Sequence, residues 1–268
     1  MSSKQVFQAY MQTVPKLSKA EIYGLTRSCI IYYAQPWKWR RLLDFYGQFI
    51  QEGDLCFDIG AHVGNRSFFW RKLNAKVVAV EPHEATSSFL SDVFRDDHHV
   101  SIINCAMAAK PGSGQLHIDP QNPTINTIST SWQTQLKNDK SWQNARWEKV
   151  QKVQLKTLDQ LIEKFGLPKF CKIDAEGSEL AVLQGLSQAI PVTTFEYIPI
   201  CVDQALACIE RLEELGSYRY NWSPGESLNL ALDSWLTASD TCQFLRKHCT
   251  RSSISGDIIA LLQTGNDA

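Results

Sequence analysis

Short, continuously apolar runs recur along the chain and alternate with stretches of helical period. Such runs occur at 55–59 (LCFDI), 76–81 (KVVAVE), 100–107 (VSIINCAM), 170–174 (FCKID) and 193–198 (TTFEYI). Between and after them, 65–73, 84–95, 158–166, 179–189 and 202–215 read as helices. Strands that are apolar throughout are covered on both faces, so the alternation predicts an α/β fold with a mostly parallel sheet between helical layers. After the turn PGSG (111–114), QLHI reads as a strand. The segment 150–157 (VQKVQLKT) alternates in the manner of a half-exposed strand. Two late strands fall near 217–222 and 256–262. The expectation is about seven core strands with a hairpin in the middle. Ligands of such sheets bind beyond the carboxyl ends of the strands.

Two segments do not share this pattern. Residues 1–50 read as an N-terminal helical extension, leaving 51–268 as the main domain. Within the extension Trp39, Leu42, Leu43, Phe45, Tyr46, Phe49 and Ile50 follow a helical period, with Lys38, Arg40 and Arg41 among them. A helix docking its apolar face on the core explains this better than a membrane or RNA role. Residues 119–148 are rich in Asn, Ser, Thr, Gln and Trp and lack a clear period, which suggests a loop or small cap inserted in the domain. Its Trp132, Trp142 and Trp147 either stack on a sugar or pack the insert down, with packing favoured.

Composition narrows the function class. Apolar residues make up 44% of the 268, enough for a sizeable core. The formal net charge is −1, from 27 basic and 28 acidic side chains, which argues against a broad nucleic-acid surface. No run approaches the roughly 18 apolar residues of a membrane span, and the first residues lack a secretory apolar stretch. A cytoplasmic protein is expected. The eight cysteines include no CxxC pair. Cys201/Cys208 and Cys242/Cys249 have helical spacing, yet buried free thiols are favoured over zinc, and no metal site is expected.

Three features carry chemistry. In DIGAHVG (58–64) a strand runs directly into Gly60, where the backbone turns without a Cβ clash. The next helix aims free amides at a ligand, and Asp58 stands ready to accept hydrogen bonds. The spacing Gly60-x-x-x-Gly64 is not the GxGxxG of a pyrophosphate site, which lowers a nicotinamide or flavin reading. Glu81 ends the next strand, about 20 residues later, where an acid bonds the ribose of a nucleoside cofactor. Asp174, Glu176, Gly177 and Glu179 follow the strand FCKID. They suit helix capping, a divalent cation or work on a substrate hydroxyl; capping accounts for Glu179, and a site role is favoured for Asp174. Glu196, near the end of TTFEYI, either faces the same crevice or is a satisfied carboxylate. His83 reads as a loop histidine without function.

Together LCFDIGAHVGN, VVAVEP, FCKIDAEGSELAVLQGL and TTFEYIP, in this order over roughly 50–262, resemble the FkbM family of methyltransferases. The element Asp174-Ala175-Glu176-Gly177-Ser178-Glu179 is the most specific part. The resemblance implies a Rossmann-like class I methyltransferase fold, a seven-stranded sheet with its last strand antiparallel. It also implies S-adenosyl-L-methionine as cofactor and O-methylation of a hydroxyl on a sugar, glycan or secondary metabolite. Asp58, Gly60 and Gly64 would flank the methionine part, with His62 and Asn65 in the same cofactor-binding segment. Glu81 would take the ribose, and Asn104 to Ala106 would lie near adenine. Asp174 and Glu196 are the candidate catalytic residues, and the partner is a small-molecule or carbohydrate acceptor. His62 stands where many relatives have asparagine. An NAD-dependent oxidoreductase and a non-catalytic binding module on the same fold are the competing readings.

Overall fold

The computed structural model describes residues 3–137, 139, 142–248 and 254–263. Its strands are β1 (Leu55–Ile59), β2 (Lys76–Val80), β3 (Val100–Ile103), β4 (Ala106–Met107), β5 (Gly112–Ile118), β6 (Lys149–Lys156), β7 (Phe170–Ile173), β8 (Val192–Tyr197), β9 (Tyr218–Pro224) and β10 (Gly256–Leu262). The helices are α1 (Ser3–Thr13), α2 (Lys19–Tyr33), α3 (Trp39–Tyr46), α4 (Asn65–Lys72), α5 (Glu84–Val93), α6 (Thr130–Lys137), α7 (Leu158–Phe165), α8 (Glu179–Gln184), α9 (Val202–Leu215) and α10 (Ala238–His248).

Seven strands form the main sheet in the order β3-β2-β1-β7-β8-β10-β9. β1 pairs in parallel with β2 and β7, as do β2 with β3 and β7 with β8. β10 runs antiparallel to both β8 and β9. This is the mostly parallel seven-stranded sheet of a class I methyltransferase. The chain builds outward through β2 and β3, then returns to the other side of β1 at β7. The order therefore reverses between β1 and β7, where open α/β sheets bind ligands.

The helices cover the two faces with separate apolar layers. Leu158, Leu161, Val182, Leu183, Leu206, Ile209, Leu212 and Leu245 fill one. Phe45, Tyr46, Phe68, Phe69, Trp70, Phe89 and Leu90 fill the other, joined by Val6, Ala9 and Leu25 of the extension. The extension is thus docked through its apolar positions, and the Trp39–Ile50 period becomes α3 and the turn after it. Ser18 and Glu21 form a capping box that starts α2, and Thr157 with Gln160 does the same for α7. Each supplies the first turn with partners that its free amides otherwise lack.

Several elements differ from the sequence reading. The run 100–107 is two strands, because Asn104 leaves the ladder to bond the backbone of residues 81 and 82. β4 then joins a second sheet, ordered β4-β6-β5, whose β5–β6 pair is the expected hairpin. The insert contains a helix, α6, hidden because its buried residues are only Trp132, Gln133 and Leu136. α8 stops at Gln184, since Gly185 is pressed against the carbonyl of Ala108. α10 was read only as a cysteine spacing; Cys242 lies in it, and Cys249 lies outside the described residues. Cys201 precedes α9 in a tight turn, with its thiol on Gln135. The cysteines among the described residues are free. Among those residues no helix is long and apolar enough to cross a membrane.

Candidate active site

The turn after β1 is built for close approach. Gly60 has φ +80°, and a Cβ there would stand 1.8 Å from the carbonyl oxygen of Asp174. Only glycine lets the ends of β1 and β7 meet so tightly. The Gly60 and Ala61 amides both donate to the Val80 carbonyl. Gly64, with φ +78°, starts α4 and leaves no room for a Cβ against Leu90 and Phe94. Asp58, 1% exposed, accepts from the amide and hydroxyl of Ser67 at 3.1 and 2.6 Å. It therefore ties α4 to β1 from beneath the turn. Burial raises its pKa, against those hydrogen bonds.

Glu81 is buried at the end of β2, and each carboxylate oxygen has a backbone donor. The His62 amide reaches Oε2 at 2.9 Å, and the His83 amide reaches Oε1 at 2.9 Å. Burial pushes its pKa up to about 7, against these amides and with help from the Asp58 and Asp174 charges. Asn104 donates to the Glu81 and Pro82 carbonyls at 2.8 and 3.1 Å, fixing the loop that carries the acid. His83 is held by Thr86 at 2.8 Å, and burial lowers its pKa to about 4; it serves the start of α5.

A cleft with about 690 Å³ of free space, its mouth included, opens at this switch point. Of the residues singled out from the sequence, Gly60, His62, Glu81, Ala106 and Asp174 line it. Asp58, Gly64, Asn65 and Asn104 do not line it; Asp58 ties α4 to β1, and Asn104 fixes the Glu81 loop. Val80, Met107, Leu116 and Ile128 make an apolar slot beside Glu81 and Pro82.

The far end of the cleft is acidic. Asp174, Glu176 and Glu196 each bring a carboxylate oxygen within 4.8 Å of the others, a spacing that also suits a hard cation. Glu176 sits in the left-handed region at φ +48°, a conformation that turns it toward its neighbours. Burial, and then the charges facing them, raise the pKa values of Glu176 and Glu196 well above the carboxylate range. Glu196 belongs to a small pocket next to the cleft, with Gly177, Tyr197 and Gln204. Glu179 folds back to accept from the amides of Ala175 and Gly177 at 3.0 and 3.2 Å. It holds the acid loop rather than the substrate.

The sequence reading passed over Lys172. Its side chain is 3% exposed and its Nζ lies 2.9 Å from Asp174 Oδ2 and 3.1 Å from Asp257 Oδ1. Burial works against its charge, but the two carboxylates outweigh that and hold its pKa well above the ordinary value. The contact with Lys172 fixes the Asp174 carboxylate in place. The signal in the sequence was a lysine in the middle of the apolar run FCKID, where only a paired ammonium is tolerated. Arg66, donating to Glu226 at 2.8 and 2.9 Å, is the other cation here.

A roof covers the cleft from two sides. From α2, Tyr32 lines the cleft, and Ser28 bonds His62 Nε2 at 2.8 Å. From the insert, Pro123, Thr124, Asn126 and Thr127 line it, and Thr127 donates to the Glu176 carbonyl at 2.6 Å. Gly24 of α2 lies against Pro120 and Pro123, joining the two. The three tryptophans of the insert pack on one another: Trp132 has ring centroids 6.0 Å from Trp142 and 6.2 Å from Trp147. Trp132 is buried over Gly177. It holds the insert to the acid loop.

A sheet of this order, with a glycine turn, a buried acid one strand over and a cleft between them, defines a methyltransferase-type α/β protein. Residues 58–210 match the methyltransferase FkbM domain; this is more than half of the chain, and the chain belongs to that family. Comparison with curated proteins gives no match. Solved structures similar to it include an O-methyltransferase from Bacillus cereus in complex with SAH, 11% identical, with a TM-score of 0.44, covering 98% of this chain and 92% of that one. Another is precorrin-6y C5,15-methyltransferase from Geobacter metallireducens, 13% identical, TM-score 0.42, covering 83% and 87%. A TehB-like SAM-dependent methyltransferase from Corynebacterium glutamicum is 10% identical, TM-score 0.42, covering 86% and 96%.

Proposed function

We propose that this methyltransferase uses S-adenosylmethionine and directs the methyl group to a hydroxyl oxygen of a small-molecule or carbohydrate acceptor. One observation carries the reading: a single cleft is lined by a doubly held acid, Glu81, and by Asp174 and Glu176, whose carboxylates cluster with Glu196 of the adjoining pocket. The first end fits a nucleoside. Glu81 keeps lone pairs for ribose hydroxyls, and the slot of Val80, Met107, Leu116 and Ile128 fits an adenine ring. The second end fits an acceptor that must lose a proton.

Bound S-adenosylmethionine supplies a methyl group that is electrophilic because it sits on a sulfonium. The chain's own residues position the acceptor, the largest part of such catalysis. Asp174, held by Lys172, accepts a hydrogen bond from the acceptor hydroxyl and orients it. Glu196, whose pKa burial raises, would take the proton in its ionised form, as the oxygen–carbon bond forms and the methyl–sulfur bond breaks.

The test has two parts. Calorimetry is expected to show S-adenosylhomocysteine binding to the folded protein. Labelled S-adenosylmethionine, offered with a panel of sugars, polyols and amines, is expected to label hydroxyl acceptors. Labelling of amines alone would overturn the oxygen assignment. Absence of S-adenosylhomocysteine binding would overturn the cofactor assignment.

A further inference from the structure

Helix α2 lies outside the part of the chain that matches the family, yet it reaches the cofactor end of the cleft. Its Ser28 is fully buried and meets His62 Nε2 at 2.8 Å. Tyr32, one turn on, meets the same ring edge-on, with centroids 5.9 Å apart, and the Tyr33 hydroxyl donates to the Val63 carbonyl at 2.7 Å. The segment 61–63 is thus gripped by one face of α2.

His62 is the link that makes this more than packing. Its backbone has φ +49°, a region that costs a non-glycine residue energy unless its surroundings impose it. That conformation aims the His62 amide at Glu81 Oε2, 2.9 Å away. The side chain of the same residue is anchored to Ser28. Ring and amide are two ends of one residue: the first fixes it to α2, the second fixes Glu81. Burial keeps the imidazole neutral by lowering its pKa to about 4, so the contact with Ser28 is a neutral hydrogen bond.

We infer that Ser28, acting through His62, is a positioning residue for the Glu81 carboxylate, so that helix α2 is a working part of the cofactor site. The inference rests on the reading of Glu81 as the acid that meets the cofactor ribose. His62 occupies the position where the FkbM resemblance fits this chain least well. Here its ring provides the reach to α2 that a shorter side chain would lack. The departure and the added helix explain each other.

Ser28→Ala removes the hydroxyl without adding bulk. S-adenosylhomocysteine is expected to bind this variant about fivefold to tenfold more weakly than wild type, the effect of one hydrogen bond. The 2′-deoxy analogue of S-adenosylhomocysteine is expected to lose much less. A merely structural role would lower the melting temperature and leave this discrimination unchanged. Ser28→Thr is expected to restore affinity, and His62→Asn, which cannot span to Ser28, to repeat the loss. A melting curve checks that each variant is folded; should Ser28→Ala fail to fold, Ser28→Cys makes the same comparison. Equal loss for both ligands, or no loss in Ser28→Ala with wild type binding normally, overturns the inference alone. No binding by wild type overturns the cofactor reading and this inference with it.

Discussion

Glu81 and Glu196 are both acids at the ends of neighbouring parts of one sheet, and burial raises both pKa values. Their settings differ. Glu81 has a backbone amide on each oxygen, one from His62 in the Gly60 turn and one from His83 in its own loop. Glu196 faces Glu176 and Asp174, and the nearby ammonium of Lys172 is already shared by Asp174 and Asp257. The Glu81 carboxylate is thus fixed by the backbone alone. The Glu196 cluster holds carboxylates whose mutual repulsion is relieved by a proton or a donor brought by the acceptor. Under the proposed function, binding and chemistry would fall to separate groups.

That separation can be broken from either end. The largest effect is expected from Gly60→Ala, whose new methyl would overlap the Asp174 carbonyl. A loss of about 3 kcal/mol or more in stability should appear in a melting curve, together with loss of S-adenosylhomocysteine binding. Glu196→Gln comes next. Turnover is expected to fall about 100-fold or more while S-adenosylhomocysteine affinity stays within about twofold of wild type; a parallel loss of affinity would unite the two ends. Glu81→Gln should do the converse, weakening S-adenosylhomocysteine by about tenfold and leaving turnover at saturating cofactor close to wild type.

The smallest effect is a pH dependence of stability. Glu81 rises from 4.5 to about 7 in the fold, so the native state binds its proton more tightly than the unfolded chain does. Its contribution is full below 4.5 and is lost as pH rises through about 7. The melting temperature is expected to fall by several degrees across that window. Glu81→Gln should reduce the change, with Glu179 and the other raised acids sustaining the rest, as thermal melts in a buffer series would show.

What was legible in the sequence was local. The apolar runs, the glycine turn and Glu81 each declare themselves within a few residues, and the sheet assembles from them. The seven-stranded arrangement and the family follow from that order. Contacts made across long separations were not legible. Ser28 and His62 are 34 positions apart, and a serine in an amphipathic helix carries no mark of its partner. Glu176 was grouped with its neighbouring acids but not singled out, because its turn to φ +48° depends on Gly177 and the insert above it. Lys172 was visible as an oddity and passed over.

Gly177 also governs how the insert can change. Its φ is +87°, and any Cβ would fall 2.2 Å from the Trp132 ring. The indole and the bare backbone fit as a peg in a socket, so Trp132 keys the insert to the loop that carries Asp174 and Glu176. An engineer who swaps this insert to alter acceptor choice must carry the peg across as well. Without it, a chimera would change its selectivity and misalign its chemistry in the same stroke.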